Sequence, residues 1–189
     1  FGFFKAIAEK YENFGILQID AHCDLRKAFE GFNFSHASIM YNTLENFPQL
    51  TKLIQVGVRD FCEEEVDYIH ANPQRISTYF DRDIRERQFE GYSWKQIVDE
   101  MISGLPHYVF ISFDIDGLDP KLCPHTGTPV QGGFETEQVF YMLKKLLQSG
   151  RKVIGFDLNE VGVSHNEWDE NVGARILFKL CNLLVASNS

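Results

Sequence analysis

The chain contains the stretch Ile19-Asp20-Ala21-His22-Cys23-Asp24. Its first residue is also the last residue of the apolar run Gly15-Ile16-Leu17-Gln18-Ile19. This pattern predicts a buried strand that ends in two aspartates and a histidine. Carboxylate oxygens and an imidazole nitrogen suit a divalent metal such as Mn, Co, Ni or Zn. An aspartate after a strand can also be only a helix cap or a turn former. Taken alone, the stretch therefore leaves both interpretations open.

A second acidic cluster follows another apolar run. Tyr108-Val109-Phe110-Ile111 leads into Ser112-Phe113-Asp114-Ile115-Asp116-Gly117-Leu118-Asp119-Pro120. For this cluster alone, a polar strand end explains the aspartates as well as a metal does. Both clusters together favour a bound cation, because uncompensated acids that lie close together repel and raise one another's pKa. Asp119 is interpreted as a turn residue before Pro120.

The two clusters together supply more oxygen ligands than one small cation needs. Two cations about 3.5–4 Å apart, bridged by a carboxylate and by water, would use them well. Such a pair would also activate the water as a nucleophile. The predicted metal ligands are four carboxylates and one imidazole: Asp20, His22, Asp24, Asp114 and Asp116.

Composition limits the classes of partner. The chain has 189 residues, of which 44% are hydrophobic, and this predicts one domain over residues 1–189. Its net charge of −9 argues against nucleic acid and anionic membrane surfaces, which repel an acidic chain. The four cysteines form no C-x-x-C pair, which favours reduced thiols in a cytoplasmic protein.

The hydrophobic pattern predicts strands that alternate with helices. Residues 25–47 are predicted to form a long loop with at most a short helix, and residues 120–133 an ordered loop. Alternation of this kind indicates an α/β fold with a mostly parallel sheet covered on both faces. The predicted strands are 15–20, 53–58, 76–80, 108–113 and 153–158, and the predicted helices are 3–13, 62–71, 93–104, 135–149 and 169–186.

Acidic residues follow four of these strands. Asp20, Asp60, Asp114 and Glu160 each stand where a predicted strand ends. In parallel sheets, ligands bind beyond the carboxyl ends of the strands. We therefore expect the four acids to gather on one rim of the molecule.

At this point the motifs resemble those of a known family. Residues 20–24, residues 112–120, Gly127-Thr128-Pro129 and Gly132-Gly133 are similar, in this order, to the ureohydrolase family of arginase, agmatinase and relatives. The resemblance implies a three-layer α/β/α fold of the arginase type and a dinuclear manganese centre. It also implies hydrolysis of a guanidino or amidino C–N bond, usually with release of urea, in a homo-oligomer, commonly a trimer or hexamer.

The resemblance also implies the ligand roles. By position, Asp20 and Asp114 would bridge two Mn²⁺ ions, Asp24 would bind one of them, and His22 and Asp116 would bind the other.

It further implies the catalytic residues His36, Glu160 and Asp24. His36 falls where the family keeps a histidine that shuttles protons near the substrate. Glu160 matches the acid that pairs with the guanidinium, which a carboxylate can hold by paired hydrogen bonds. A loop histidine without a role and a surface acid after a strand are the alternatives for His36 and Glu160.

One family feature is absent from this chain. The family has a further metal-binding histidine in a Gly-Gly-Asp/Glu-His segment upstream of the D-A-H-x-D motif, which would fall before Phe1. Because Phe1-Gly2-Phe3-Phe4-Lys5 is neither a signal peptide nor an initiator methionine, we expect an N-terminally truncated chain without the first strands. Such a fragment would bind one of its two metals poorly and have little activity.

Only the differences from arginase narrow the choice of substrate. Arginases place polar side chains after D-A-H-x-D, whereas this chain has Leu25-Arg26-Lys27-Ala28-Phe29-Glu30-Gly31-Phe32. Arginases also carry an acid at the position of Cys62. Both differences favour an agmatinase-like activity, with arginase or formimidoylglutamase as the alternative. Arg26 or Lys27 would instead contact a substrate carboxylate if the substrate were formiminoglutamate or a guanidino acid. The alternative is that both are solvated loop charges.

Two further hypotheses lie outside this class of enzyme. The first is a noncatalytic, metal-poor relative, which the absence of the upstream ligand would explain. A single-zinc deacetylase is disfavoured, since one zinc would not need so many acids.

Overall fold

The computed structural model describes residues 1–189 and contains one sheet of five strands, all parallel. The strands are β1 Phe14–Ile19, β2 Leu50–Val58, β3 Ile76–Phe80, β4 Tyr108–Asp114 and β5 Lys152–Asn159. Their order across the sheet is β3-β2-β1-β4-β5, so β1 lies in the centre between β2 and β4. The predicted parallel α/β sheet is confirmed.

Seven helices cover the sheet. They are α1 Gly2–Lys10, α2 Ile39–Asn46, α3 Glu63–Ala71, α4 Asp81–Phe89, α5 Trp94–Ser103, α6 Thr136–Gln148 and α7 Trp168–Asn188. Short 3₁₀ turns occupy His36–Ser38 and Ile115–Gly117. None of the helices combines the length and the apolar character that a membrane crossing requires.

The helices form two outer layers because each strand presents apolar side chains to both faces. Leu17 and Ile19 of β1 pack into a cluster of 26 buried residues that α4–α7 complete. Phe14 and Ile16 point the other way, into a cluster of 15 buried residues shared with α1–α3. This alternation is the period of two expected of a strand buried on both faces. The three-layer α/β/α arrangement is thereby confirmed.

Residues 25–47 were predicted as a long loop with at most a short helix, and they contain a 3₁₀ turn and the eight-residue helix α2. Helix α4 was not predicted at all, because it buries only Asp81 and Ile84 and therefore has no apolar stripe. Helix α5 begins as predicted, with Ser93 accepting a hydrogen bond from the backbone N–H of Gln96.

Candidate active site

The two acidic motifs converge because β1 and β4 are neighbouring parallel strands. A cavity of about 560 Å³ opens beyond the carboxyl ends of the strands. Asp116 is almost fully buried and reaches the same cluster through its contact with His22. The predicted site residues that line the cavity are Asp20, His22, Asp24, His36, Asp114 and Glu160.

Two groups of potential metal donors share Asp116. The donor atoms of Asp20, His22 and Asp116 lie within 4.8 Å of one another. Those of Asp114, Asp116 and Glu160 do so as well. Asp24 belongs to neither group, although it lines the same cavity. The acids thus form two adjoining clusters rather than one.

Backbone N–H groups hold the carboxylates in place. The N–H of His22 donates to Asp20 Oδ1 at 2.7 Å, and the N–H of Ala21 donates to Asp116 Oδ1 at 3.0 Å. The N–H of Asp116 donates in turn to Asp114 Oδ1 at 2.9 Å. His22 Nδ1 lies 3.0 Å from Asp116 Oδ2. Each of these three carboxylates is therefore oriented by the turn that follows its own or the neighbouring strand.

Burial and mutual repulsion disfavour negative charge on several of the acids. Burial, together with the charge of Asp116, raises the pKa of Asp20 to about 6. Burial and the charges of Asp20 and Asp116 raise the pKa of Asp114 to about 10. Burial and the charge of Asp20 likewise raise the pKa of Asp24 well above its ordinary value. A bound divalent cation would offset this repulsion.

For His22, in contrast, the surroundings favour the charged form. Burial lowers the pKa of His22, but hydrogen bonds to Asp116 and Asp20 outweigh burial and raise it to about 11. For Asp116, burial raises the pKa, but the hydrogen bonds from His22 and from the Ala21 N–H bring it below its ordinary value. The space between Asp20, His22 and Asp116 therefore favours a positive charge. The carboxylate and imidazole groups around it are donors that fit a divalent metal such as manganese.

Glu160 stands directly after β5 on the rim of this cavity. Its backbone is left-handed, with φ of 58°, which turns the chain away from the strand direction. A Cβ atom added at Gly127 would lie 3.1 Å from Glu160 Oε2, so the glycine leaves the space that the carboxylate occupies. Next to it, Thr128 Oγ1 donates to Asp116 Oδ2 at 3.4 Å. The Gly-Thr-Pro loop thus contacts both the acid cluster and Glu160.

His36 reaches the cavity from the segment between β1 and α2. Its ring packs edge-on against Phe29, with 5.4 Å between the ring centroids. The carbonyl of Asp24 accepts the N–H groups of Met40 and Tyr41 at 3.1 and 3.2 Å, which ties the start of α2 to the end of the D-A-H-x-D motif. His36 and Asp24 are therefore positioned by one short connected segment.

A buried acid anchors the start of that segment. Glu65, 3% exposed, accepts the N–H of Leu25 at 2.9 Å and the N–H of Cys62 at 3.0 Å. Arg26 Nε lies 3.7 Å from its second oxygen, and the guanidinium lies over the ring of Phe29, 5.0 Å from the centroid. Arg26 thus has partners of its own at the cavity wall.

Several cavity residues were not singled out as site residues from the sequence. Asp60, predicted only to share the rim, has Oδ2 3.7 Å from His22 Nε2. Asp157 accepts a hydrogen bond from Ser112 Oγ at 2.9 Å, and burial raises its pKa. Since Ser112 and Asp157 are register partners of β4 and β5, only the strand pairing could have revealed them.

Comparison with known proteins gives the family. The model of the Arginase family matches residues 1–182. The chain is 31% identical over 180 residues to N(1)-aminopropylagmatine ureohydrolase of Thermus thermophilus, covering 95% of this chain and 57% of that protein. It is 30% identical over 175 residues to agmatinase of Bacillus subtilis, covering 92% of this chain and 56% of the relative. The chain therefore spans somewhat more than half the length of these relatives.

The fold is also found among solved structures. Proclavaminate amidino hydrolase from Streptomyces clavuligerus superimposes with a TM-score of 0.82 at 22% identity, over 97% of this chain and 60% of that one. At this identity the likeness supports the fold alone. Because the family model covers nearly the whole sequence and relatives exceed 30% identity, this chain is a member of the arginase family.

Proposed function

We propose that this chain carries the catalytic residues of a manganese-dependent hydrolase that cleaves the C–N bond of a linear guanidino or amidino compound, with agmatine as the leading substrate. One observation carries the proposal. The acids that follow β1 and β4 meet in a single cavity with His36 and Glu160 at its wall. The whole reaction would convert agmatine and water to putrescine and urea.

The proposed metal site uses the residues of the two acidic motifs. Asp20, His22, Asp24, Asp114 and Asp116 would hold two Mn²⁺ ions. Bound manganese would activate the attacking water as a nucleophile and offset the repulsion among the acids.

The remaining side chains would handle substrate and protons. Glu160 would accept paired hydrogen bonds from the planar guanidinium, which fixes the reacting carbon. His36 would pass a proton to the amine as the C–N bond breaks. Asp24 would contact the reacting groups as well as a metal, since it lines the same cavity.

The charge of the cavity favours a substrate whose far end is an amine. Acidic side chains dominate its wall, among them Asp60, Glu65 and Asp157. Arg26 is the one cationic side chain besides the histidines, and it faces Glu65 and Phe29 rather than standing free. This acidic wall would attract an ammonium group and repel a carboxylate such as that of arginine or formiminoglutamate.

A panel of substrates tests this proposal. On the full-length protein, urea release is measured for agmatine, N(1)-aminopropylagmatine, arginine and guanidinobutyrate, and formamide release for formiminoglutamate, with manganese content measured in parallel. Agmatine or its aminopropyl derivative should give the highest kcat/KM, with two Mn per subunit. Preference for arginine or formiminoglutamate would favour the alternative activities. No turnover with little bound metal would favour a noncatalytic relative.

The setting of the enzyme is part of the proposal. We propose one domain over residues 1–189, in a cytoplasmic homo-oligomer, a trimer or hexamer, that takes a small-molecule substrate. Light scattering coupled to size-exclusion chromatography of the intact protein measures the subunit number.

A further inference from the structure

Three neighbouring strands carry a chain of buried and half-buried polar side chains that the proposed chemistry does not use. Gln18 of β1 and Gln55 of β2 are both fully buried. They are register partners, and Gln55 is in turn the partner of Thr78 on β3. Their neighbours two residues away, Ile16 and Leu53, belong to the apolar cluster beneath α1–α3. These amides therefore lie directly beside apolar core side chains.

The hydrogen bonds join these side chains to a proposed metal ligand. Thr78 Oγ1 donates to Gln55 Oε1 at 2.7 Å, and Gln55 Nε2 donates to Gln18 Oε1 at 2.8 Å. Gln18 Nε2 donates to Asp20 Oδ2 at 2.9 Å. No nitrogen or oxygen of either glutamine lacks a partner. We call Thr78, Gln55 and Gln18 the polar relay.

A backbone carbonyl fixes the direction of the polar relay. Gln55 Nε2 also donates to the carbonyl oxygen of Cys23 at 2.6 Å, and a carbonyl can only accept. This contact sets which end of the Gln55 amide is the donor, and so presents a donor to Gln18 Oε1. Gln18 must then turn its own N–H₂ toward Asp20. Each donor in the relay consequently points toward the carboxylate, an arrangement in which hydrogen bonds strengthen one another.

The relay also limits what Asp20 can do. Oδ2 of Asp20 accepts from Gln18, while Oδ1 accepts from the N–H of His22 at 2.7 Å. Each oxygen keeps one further lone pair, so the carboxylate is held by two donors and can still bind a cation through either oxygen. Apolar side chains would fill the same positions without the desolvation that buried amides require. The relay is therefore better explained by its effect on Asp20 than by packing.

We propose that Gln18, Gln55 and Thr78 are positioning residues that orient Asp20 for metal binding and set the manganese affinity of the centre. This inference rests on the proposed function only for the presence of a metal at Asp20. Hydrogen-bond partners of metal ligands commonly change affinity by roughly 10–100-fold when they are removed.

The test measures Mn²⁺ affinity by isothermal titration on the intact protein, with the melting temperature in EDTA recorded for each variant. Gln18→Met keeps length and removes both polar atoms, and should weaken Mn²⁺ binding by roughly 10–100-fold. Thr78→Val, two hydrogen bonds away, should weaken it by roughly threefold. Thr51→Val is the matched control, because its hydroxyl bonds to Asn13 outside the relay, and it should leave affinity unchanged.

A double variant separates a relay from two independent effects. If the hydrogen bonds act in series, Thr78→Val should have no further effect on affinity once Gln18→Met has broken the chain. Additive losses, or variants within twofold of wild type, would overturn the inference. Should Gln18→Met fail to fold, Thr78→Val against Thr51→Val decides alone. Wild-type protein that binds no Mn²⁺ would instead overturn the proposed function and this inference with it.

Discussion

At the scale of single residues, Glu160 is the side chain whose role depends most on charge. Glu160→Gln keeps the shape and one acceptor but removes the negative charge that a guanidinium would meet. Two charge-assisted hydrogen bonds of about 1.5 kcal/mol each would be weakened, so kcat/KM for agmatine should fall about 100-fold. Steady-state kinetics with saturating Mn²⁺ measures the change.

The control substitutes Glu167, a second glutamate with a left-handed backbone conformation. Glu167 precedes α7 and also has a left-handed backbone, with φ of 56°. Glu167→Gln should leave kcat/KM unchanged, since this residue is not at the cavity wall. Because Glu160 also lies within 4.8 Å of Asp114 and Asp116, Mn²⁺ affinity is measured as well. A loss of metal binding equal to the loss of activity would assign Glu160 to the metal instead.

His36 gives a second prediction at this scale. His36→Gln keeps a polar side chain but removes the imidazole that would act as general acid, and general acid–base catalysis is typically worth at least about 100-fold. We expect kcat to fall by about that factor while KM changes little. His107→Gln is the control, because His107 precedes β4 at the opposite end of the sheet and contacts Tyr108. Equal effects of both substitutions would contradict a role in proton transfer.

The side chains that the sequence revealed are those written next to each other in the motifs. Asp20, His22 and Asp24 follow one apolar run, so their proximity needs no knowledge of the fold. Gln18 and Gln55 carry no such signal, because a glutamine within a strand is equally consistent with a solvent-facing side chain. Only the register of β1 against β2 brings them together.

At the scale of elements, Arg59 joins the end of β2 to the loops that follow β4. Its Nη2 donates to the carbonyls of Asp116 and Leu118 at 2.6 and 3.1 Å, and to that of Val130 at 2.9 Å. Nη1 donates to the carbonyl of Gly57 at 3.0 Å. One guanidinium thus holds three separate segments around the candidate site.

Arg59→Lys should therefore destabilise the fold. A single ammonium group cannot span these carbonyls, and each carbonyl left without a partner costs about 1 kcal/mol or more. We expect the free energy of unfolding to fall by about 2–3 kcal/mol, measured by urea denaturation. Arg82→Lys, on an exposed side chain of α4, should change it by less than about 0.5 kcal/mol. Equal stability of both variants would show that the Arg59 contacts contribute little.

Elements were predicted where an apolar stripe or run exists. Helix α6 buries Val139, Met142, Leu143 and Leu146 on one side and was predicted within a residue or two. Helix α4 lacks such a stripe, and contacts with β2 and β3 stabilise it instead. The sequence likewise gives no signal of a partner for His125, but the fold brings its Nδ1 2.9 Å from the buried Asp169 of α7. Both omissions arise from contacts between segments distant in sequence.

At the scale of the whole molecule, the two donor clusters couple folding to pH. The pKa of Asp20 is raised from 3.8 to about 6, that of Asp114 from 3.8 to about 10, and that of His22 from 6.5 to about 11. Between pH 5.5 and 8 the folded, metal-free protein thus binds more protons at these sites than the unfolded chain. Its stability should fall as pH rises, since the unfolded state binds fewer protons.

The stabilisation that manganese provides should change in the opposite direction. If the proposed function is right, Mn²⁺ would compete with these protons for the same donors, so its affinity and its effect on stability should increase with pH. At about 100-fold excess over Kd the ion would contribute about 2.7 kcal/mol, equivalent to a rise in Tm of roughly 5–10 °C for a chain of this size. We expect this rise near pH 8 and a much smaller one at pH 5.5, with thermal unfolding recorded in Mn²⁺ and in EDTA.

The lowered pKa of Asp116 does not alter the sign of this pH dependence, because that carboxylate is ionised throughout this range. A Tm increment that is constant or decreases with pH would contradict a metal bound by these acids, whereas an equal increment with Mg²⁺ would indicate a site without preference for manganese.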